Sequence, residues 1–287
     1  MIEVSHLTKQ FKKKKVLHDL NLSVEGGMVG LIGPNGAGKT TFMRMLAAVA
    51  KPSSGDIIVN GYSIQKEASS VRKEIGYLPQ HFQLYPQLTA SEFLDYTGQL
   101  KQDRDYDHEM EKNRLLDVLN LRSQQNQKIK TFSNGMKQRL GIAQALYGEP
   151  SLMIFDEPSA GLDPEERLRF RNIIADVSSR RTVILSTHIV EDIESSCDTL
   201  IVLNKGEILF IGTPFDLQCK GNGLVWEFDL EVDDWNQLAG LQMTLTKRKA
   251  DGLHCRAIST VAPFDFAEAV NPTLEEGYMA LIGRDGT

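Results

Sequence analysis

The segment Gly33–Thr40 combines a glycine-rich loop with a lysine and a hydroxyl, a set of groups that binds nucleotide phosphates. It reads Gly-Pro-Asn-Gly-Ala-Gly-Lys-Thr and matches the pattern G-x-x-x-x-G-K-[S/T]. Its glycines let backbone N–H groups converge on phosphate oxygens, and Lys39 adds a point charge at the β- and γ-phosphates. Thr40 offers a hydroxyl to Mg²⁺, which prefers hard oxygen ligands. A plain glycine turn is the alternative. The expected nucleotide contacts are Gly33, Asn35, Gly36, Ala37, Gly38, Lys39, Thr40 and Thr41.

Two neighbouring carboxylates, Asp156 and Glu157, follow an apolar run over Leu152–Phe155. The run predicts a buried strand, and ligands of open α/β sheets gather at the carboxyl ends of the strands. We therefore expect Asp156 to hold Mg²⁺ through water and Glu157 to polarise the attacking water. A pair of surface acids at a strand end is the alternative, and the phosphate loop upstream favours the catalytic interpretation.

These groups need a sheet to position them, and the apolar pattern predicts one. Met28–Ile32 is a continuous apolar run typical of a buried strand, and Thr40–Val49 after the loop has helical character. Strands alternating with helices indicate parallel pairing with helical crossovers. Further strands are predicted at Ile2–Val4, Leu20–Val24, Asp56–Val59, Ile75–Leu78, Thr182–Ser186 and Leu200–Leu203.

The middle of the chain, from about Thr89 to Tyr147, changes to helical patterns. Thr89 and Glu92 have the spacing of a capping box, which predicts a helix start. An apolar helix face is predicted from Leu115, Leu116, Val118 and Leu119.

The C-terminal region predicts a separate small α+β domain. Trp226–Leu230 alternates apolar and acidic residues, as a strand with one wet face does, and Asp251-Gly252 is a strong hairpin turn. Thr273 and Glu276 have capping-box spacing at the start of a last helix. We place the domain division at residue 215, giving domains 1–215 and 216–287.

Composition narrows the class of protein. The 287 residues carry 32 basic and 38 acidic side chains, a formal charge of −6, which gives no general attraction to nucleic acid. Lys12–Lys15 is a local exception, either a solvated turn or a run close to a nucleotide phosphate or lipid headgroup.

Cys197, Cys219 and Cys255 lack metal-ligand or disulfide spacing and fit a reducing compartment. We see no signal peptide and no apolar run of the ~18 to 20 residues needed to cross a membrane.

Five further features follow the order of one family. Phe132–Arg139 lies upstream of the Asp-Glu pair and resembles the signature segment of the ABC (ATP-binding cassette) ATPases. Gln80 resembles the glutamine of their Q-loop, and Ser159–Asp163 resembles their D-loop. His188 resembles their switch histidine, and Phe11 sits where they place an adenine-stacking aromatic. The resemblance covers residues 1 to about 215 in unbroken order.

The resemblance implies an α/β fold with a P-loop NTPase (RecA-like) core sheet. It also implies an N-terminal antiparallel β-subdomain and a helical insertion over about 82–147. The substrate and cofactor would be ATP and Mg²⁺. Glu157 would be the catalytic base, His188 a γ-phosphate contact, and Lys39 a charge stabiliser. Thr40, Gln80 and Asp156 would face the metal ion, and the remaining nucleotide contacts would be Phe11, Gln80, Ser133, Gly135 and Asp163.

The signature departs from the usual L-S-G-G-Q, since it reads Phe132-Ser-Asn-Gly-Met136 here. Its serine and second glycine remain, so a γ-phosphate donor and a close backbone approach remain available. Asn134 tolerates left-handed backbone angles better than most residues, which softens the loss of the first glycine.

The resemblance also implies an assembly. Two ABC ATPase chains, alike or different, would face each other head to tail, with each ATP between one phosphate loop and the other chain's signature. Gln80 would report to a polytopic membrane permease, which would hold the chain at the cytoplasmic face of the membrane.

Asn271–Gly283 resembles the tail of cassettes paired with bacterial export permeases, or is an ordinary amphipathic helix docked on the sheet.

Rival functions fit the pattern less well. Ribosomal members of the family carry two cassettes, whereas this sequence contains one. DNA-acting members usually insert a coiled coil or zinc module, and the segment between Thr41 and Phe132 has the pattern of neither. A small-molecule kinase would not need Ser133, Asp163 and His188 in this order. A non-transport ABC ATPase with a regulatory role remains the alternative.

Overall fold

The chain forms two compact units. The computed structural model describes residues 1–101, 107–159, 162–194, 196–231, 236–250 and 252–283. The two units are Met1–Ile208 and Leu209–Thr287, whereas the sequence pattern predicts a division at residue 215.

The elements alternate between strand and helix over much of the first unit. The strands are β1 (Ile2–Phe11), β2 (Lys14–Val24), β3 (Met28–Ile32), β4 (Ser54–Val59), β5 (Tyr62–Ser63), β6 (Ile75–Leu78), β7 (Leu152–Asp156), β8 (Thr182–Thr187), β9 (Thr199–Asn204), β10 (Glu207–Gly212), β11 (Val225–Leu230), β12 (Gln242–Lys249), β13 (Gly252–Ile258) and β14 (Glu268–Ala269). The α-helices are α1 (Lys39–Leu46), α2 (Ala68–Glu74), α3 (Ala90–Lys101), α4 (His108–Val118), α5 (Asn134–Leu146), α6 (Pro164–Ser178), α7 (Glu191–Glu194), α8 (Pro214–Gln218) and α9 (Leu274–Gly283).

The core of the first unit is a sheet in which its strands follow the order β9-β3-β8-β7-β6. Strands β9, β3, β8, β7 and β6 pair in parallel, as predicted from the alternating pattern. Every residue of β3 and β7 is buried, which is why both strands are apolar apart from a glycine in β3 and the final aspartate of β7.

Helix α1 follows the loop after β3 and ends at Leu46, three residues before the predicted end at Val49. Ala48 adopts a left-handed backbone with φ of 52°. The backbone N–H groups of Val49 and Ala50 both donate to the carbonyl of Arg44, which closes the helix. Local backbone geometry therefore ends α1 although the apolar pattern continues.

A second sheet, of order β2-β1-β4-β5, is the antiparallel subdomain implied by the resemblance. Strand β1 is longer than the predicted Ile2–Val4, because its pairing with β2 continues to the Phe11–Lys14 pair at the hairpin. Lys12 lies in the turn of that hairpin with φ of 51°.

The helical segment contains α3, α4 and α5. Its predicted capping box is present, since Glu92 N donates to Thr89 Oγ1 at 3.2 Å and Thr89 N donates to Glu92 Oε2 at 2.7 Å. Leu115, Leu116 and Leu119 are fully buried as predicted. Val118 is 46% exposed, so its assignment to the buried face was wrong.

The second unit contains a sheet of order β12-β13-β11-β14 and the helices α8 and α9. β12 and β13 form the predicted hairpin, although Asp251 of its turn lies outside the described residues. Phe228 and Leu230 are buried and the intervening Asp229 is exposed, as the alternation in this strand predicts. The described part of this unit is therefore α+β.

Glu276 ties α9 to the sheet of the second unit. Its carboxylate, 3% exposed, accepts from Thr273 N and from the hydroxyl of Thr244. It also accepts two hydrogen bonds from Arg256, from Nε at 2.9 Å and from Nη2 at 2.8 Å. A buried carboxylate with four donors is costly to remove because its partners lose their acceptor.

We therefore expect Glu276→Ala to lower the free energy of unfolding of the second unit by about 3 kcal/mol, since a buried ion pair loses one partner. Chemical denaturation followed by a probe in this unit measures the change. The matched control is the exposed neighbour Glu275→Ala, which should shift stability by no more than about 0.5 kcal/mol. Equal effects of the two variants would contradict the role given to Glu276.

Candidate active site

The site lies where three neighbouring strands of the parallel sheet end. In the register of β3 and β8, Ile32 pairs with Thr187, and in that of β7 and β8, Asp156 pairs with Ser186. The glycine-rich loop follows Ile32 directly and leads into α1 at Lys39. The phosphate loop and the Asp-Glu pair, 116 residues apart at Thr40 and Asp156, therefore meet at one edge.

The loop backbone is packed closely between neighbouring elements. A side chain at Gly33 would place its Cβ 2.0 Å from the carbonyl oxygen of Leu203, and one at Gly38 would lie 2.6 Å from Leu17. Gly38 also has φ of 112°, which a residue with a side chain rarely adopts. These glycines are required by the fold of the loop.

Lys39 is buried, and its ammonium group points toward the loop and Glu157. Its Nζ donates to the carbonyl oxygen of Gly33 at 2.7 Å and lies 3.5 Å from Glu157 Oε1. The side chains of Lys39 and Glu157 are only 7% and 8% exposed, so each supplies the countercharge that the other needs in this buried position.

Asp156 is fully buried and leaves one oxygen without a partner. Its Oδ1 accepts from Ser186 Oγ at 2.7 Å and from Thr40 Oγ1 at 3.3 Å. Its Oδ2 has no hydrogen-bond partner among the described residues. Burial raises the pKa of Asp156, while the hydrogen bonds from Ser186 and Thr40 act in the opposite direction. An unpartnered carboxylate oxygen beside a threonine hydroxyl fits the hard oxygen ligands that Mg²⁺ takes.

Glu157 has a strained backbone that the surroundings hold in place. Its φ is 50°, a conformation that costs a residue with a side chain about 1–3 kcal/mol. Its N–H points to Ser186, with the hydroxyl oxygen at 2.9 Å and the carbonyl oxygen at 3.1 Å. The carboxylate contacts Lys39 on one oxygen, and its Oε2 lies 2.5 Å from His188 Nδ1 on the other. The imidazole of His188 is 52% exposed and can reach outward from the buried carboxylate.

Lys39 and Glu157 border a cleft of about 620 Å³, large enough for the phosphates of a nucleotide, whose described lining does not include Asp156 or His188. Gln80 lies on its wall, together with most of the phosphate loop and Glu157. Lys14 and Lys15 also line it, so the part of the lysine run within β2 lies beside the cleft. The described lining is Lys14, Lys15, Val16, His18, Pro34, Asn35, Gly36, Ala37, Gly38, Lys39, Thr40, Thr41, Gln80, Glu157 and Lys205.

Phe11 lies outside this lining, and its role as an adenine-stacking residue stays a prediction. The ring is 52% exposed. Lys9 Nζ stands 4.8 Å from the ring centroid in a cation–π contact. Phe11 is on the hairpin that carries Lys14 and Lys15, so it belongs to the same corner of the first unit.

The predicted signature residues are also absent from the described lining of the cleft. Ser133 is the N-cap of α5 and accepts from Met136 N at 3.2 Å. Asp163 is the N-cap of α6 and accepts from Glu166 N at 2.9 Å. Residues 160–161 of the D-loop segment lie outside the described residues. The described lining of the cleft therefore includes most of the phosphate loop but neither Ser133 nor Asp163.

Gly135 explains why one glycine of the signature is kept. A Cβ at Gly135 would lie 2.6 Å from the carboxyl carbon of Glu166. Arg139 holds that carboxylate in place, with Nη1 at 2.5 Å from Oε2. Asn134 is exposed at the start of α5, where a side chain meets no such obstacle. The fold thus accommodates the change of the first glycine to asparagine.

Two residues of the site, Ser186 and Lys205, were not predicted from the sequence. Ser186 bridges Asp156 and Glu157, and Lys205 lines the cleft from the turn between β9 and β10. Ser186 could have been found from the sequence, because it is a polar residue at the end of the apolar strand pattern Thr182–Ser186. Lys205 had only a turn dipeptide, Lys205-Gly206, to mark it.

No helix within the described ranges is long and apolar enough to cross a bilayer.

Comparison with known proteins identifies the family of this chain. The family model described as "ABC transporter" matches residues 17–160. The linearmycin resistance ATP-binding protein LnrL of Bacillus subtilis is 36% identical over 225 residues, which is 78% of this chain and 72% of the relative.

Solved structures give the same result. An ATP-binding subunit of an ABC transporter superimposes with a TM-score of 0.69 and 32% identity, over 76% of this chain and 92% of that one. A dimeric structure of the bacterial ABC transporter cassette MJ0796 gives a TM-score of 0.67 and 25% identity, over 74% of this chain and 98% of that one. The predicted P-loop NTPase fold is confirmed, and the chain belongs to the ABC transporter family as an ATP-binding, ATP-hydrolysing member.

Proposed function

We propose that this chain drives a separate membrane permease by closing on ATP as one of two cassettes. The observation that carries the proposal is that the described lining of the cleft includes the phosphate loop and does not include Ser133. A two-fold dimer of such chains would bring each Ser133 to the cleft of the other and complete two sites. The dimeric arrangement of the solved MJ0796 cassette supports this assembly.

The buried side chains account for hydrolysis at such a site. Glu157 would polarise an in-line water, and Lys39 would leave its contact with Glu157 for the phosphates. His188, bonded to Glu157 through Nδ1, would contact the γ-phosphate through its other nitrogen. Mg²⁺, held by Thr40, Asp156 and Gln80, would neutralise phosphate charge.

Export is the direction that we propose. The relative LnrL is named for resistance to linearmycin, and resistance is a function that removal of a compound would serve. The segment that resembles export cassettes, Asn271–Gly283, contains α9. The exported compound would be chosen by the permease.

A groove of about 570 Å³ between α2, β6, α3 and α5 supports contact with that permease. Its described lining includes Arg72, Lys73 and Lys101 and no carboxylate. Burial lowers the pKa of Lys101, so an acidic partner would stabilise its charged form. Leu100 beside it is 61% exposed. We propose that an acidic cytoplasmic segment of the permease docks here.

The shared site predicts recovery of activity when two inactive variants are mixed. Lys39→Ala removes the phosphate charge and Ser133→Arg blocks the signature, so each variant alone should lose ATPase activity. A mixed dimer retains one intact site, and equal mixing should restore about a quarter of the wild-type rate. Steady-state ATPase assays of the single variants and the mixture measure this.

The controls for that mixture are each variant mixed with an equal amount of itself at the same total concentration. Absence of recovery in the mixture, with both variants folded and able to dimerise, would contradict a site shared between two copies of this chain.

The basic groove predicts a second effect. Lys101→Glu should reverse the local charge and reduce permease binding about tenfold or more, while the basal ATPase rate of the isolated chain stays unchanged. Co-purification with the permease and permease-stimulated ATPase activity provide the two measurements. Lys66→Glu, the same change at an exposed position outside the groove, is the control. Equal permease binding by the two variants would contradict docking of the permease at this groove.

A further inference from the structure

The side chain of Ser186 contacts both residues of the Asp156–Glu157 pair. It is fully buried in β8, opposite Asp156 in the register of β7 and β8. Its hydroxyl donates to Asp156 Oδ1 at 2.7 Å and accepts from Glu157 N at 2.9 Å. A serine hydroxyl carries one proton and two lone pairs, so it can make both bonds at once.

The bond to Asp156 fixes which carboxylate oxygen stays available. Ser186 and Thr40 both donate to Oδ1, at 2.7 Å and 3.3 Å. Oδ2 is left as the buried oxygen with no hydrogen-bond partner among the described residues. The two donors therefore oppose rotation of the carboxylate that would exchange the two oxygens.

The bond from Glu157 N holds the strained backbone from which the base projects. Glu157 has φ of 50°, and its N–H is shared between the hydroxyl and the carbonyl oxygen of Ser186. With the backbone held, the carboxylate reaches Lys39 at 3.5 Å and His188 at 2.5 Å. The same serine thus anchors the residue on either side of the Asp156–Glu157 peptide.

We infer that Ser186 is a positioning residue for ATP hydrolysis, whose single hydroxyl fixes the metal-holding carboxylate and the water-polarising glutamate relative to each other. The inference rests on the roles proposed for Asp156 and Glu157. It gives Ser186 no contact with nucleotide or metal ion. Partners of this kind behind a metal ligand typically contribute about tenfold to a hundredfold in metal affinity or activity.

The test is Ser186→Ala in the full chain. We expect kcat and the affinity for Mn²⁺, measured by electron paramagnetic resonance with a non-hydrolysable ATP analogue, both to fall about tenfold to a hundredfold. Binding of the analogue in the absence of divalent cation should stay at the wild-type level, because the phosphate loop is untouched. Hydrogen exchange at the Glu157 amide should become faster. Ser186→Thr, which keeps the hydroxyl, should restore most of each property.

Ser63→Ala is the matched control. Ser63 is also buried and its hydroxyl donates to Asp56 Oδ2 at 2.5 Å, but it lies in β5 of the other sheet. This variant should lose a comparable hydrogen bond and keep wild-type kcat and Mn²⁺ affinity. If Ser186→Ala does not fold, Ser186→Cys keeps the side-chain size with a weaker donor and carries the same expectation.

Wild-type Mn²⁺ affinity and Glu157 exchange in a folded Ser186→Ala variant would overturn the inference. Losses that match those of Ser63→Ala would do the same, because they would mark a structural hydrogen bond only. The proposed function is tested separately by Glu157→Gln, since full ATP turnover in that variant would refute the site itself, whatever Ser186 does.

Discussion

The parallel register of β3, β8 and β7 is the constraint on which the site depends. It sets Ile32 beside Thr187 and Ser186 beside Asp156 at one edge of the sheet. Because successive side chains of a strand point to opposite faces, a slip of one residue would turn Asp156 away from Thr40. The phosphate loop and the carboxylates come from distant parts of the chain, and only this pairing brings them together.

Charge balance is the second constraint, and it follows from the first. The edge gathers Lys39, Asp156 and Glu157, each at most 8% exposed. Burial makes every unpaired charge costly, so Lys39 pairs with Glu157 and Asp156 accepts hydroxyl hydrogen bonds. Charged groups held in a buried, preorganised arrangement stabilise a transferring phosphoryl group better than the same groups in water. Burial of these charged groups therefore opposes folding, and the same burial suits the site to ATP hydrolysis.

The sequence predicted the parts of this arrangement that are local. The phosphate loop and the strands β3 and β7 are contiguous patterns, and the capping box at Thr89 needs only two residues. Ser186 and Lys205 were missed because their importance comes from neighbours in space that no local pattern contains. The end of α1 at Leu46 was misplaced because a left-handed backbone at Ala48 ends the helix. Val118 was assigned to the same apolar face as Leu115, Leu116 and Leu119, but four apolar residues within five positions cannot all face inward on one helix.

We propose that each ATP is held by two chains, and a structure of the Glu157→Gln variant bound to ATP and Mg²⁺ would show whether it is. We expect a closed dimer in which each γ-phosphate lies between Lys39 of one chain and Ser133 of the partner subunit. A structure in which Ser133 lies far from every γ-phosphate would contradict it.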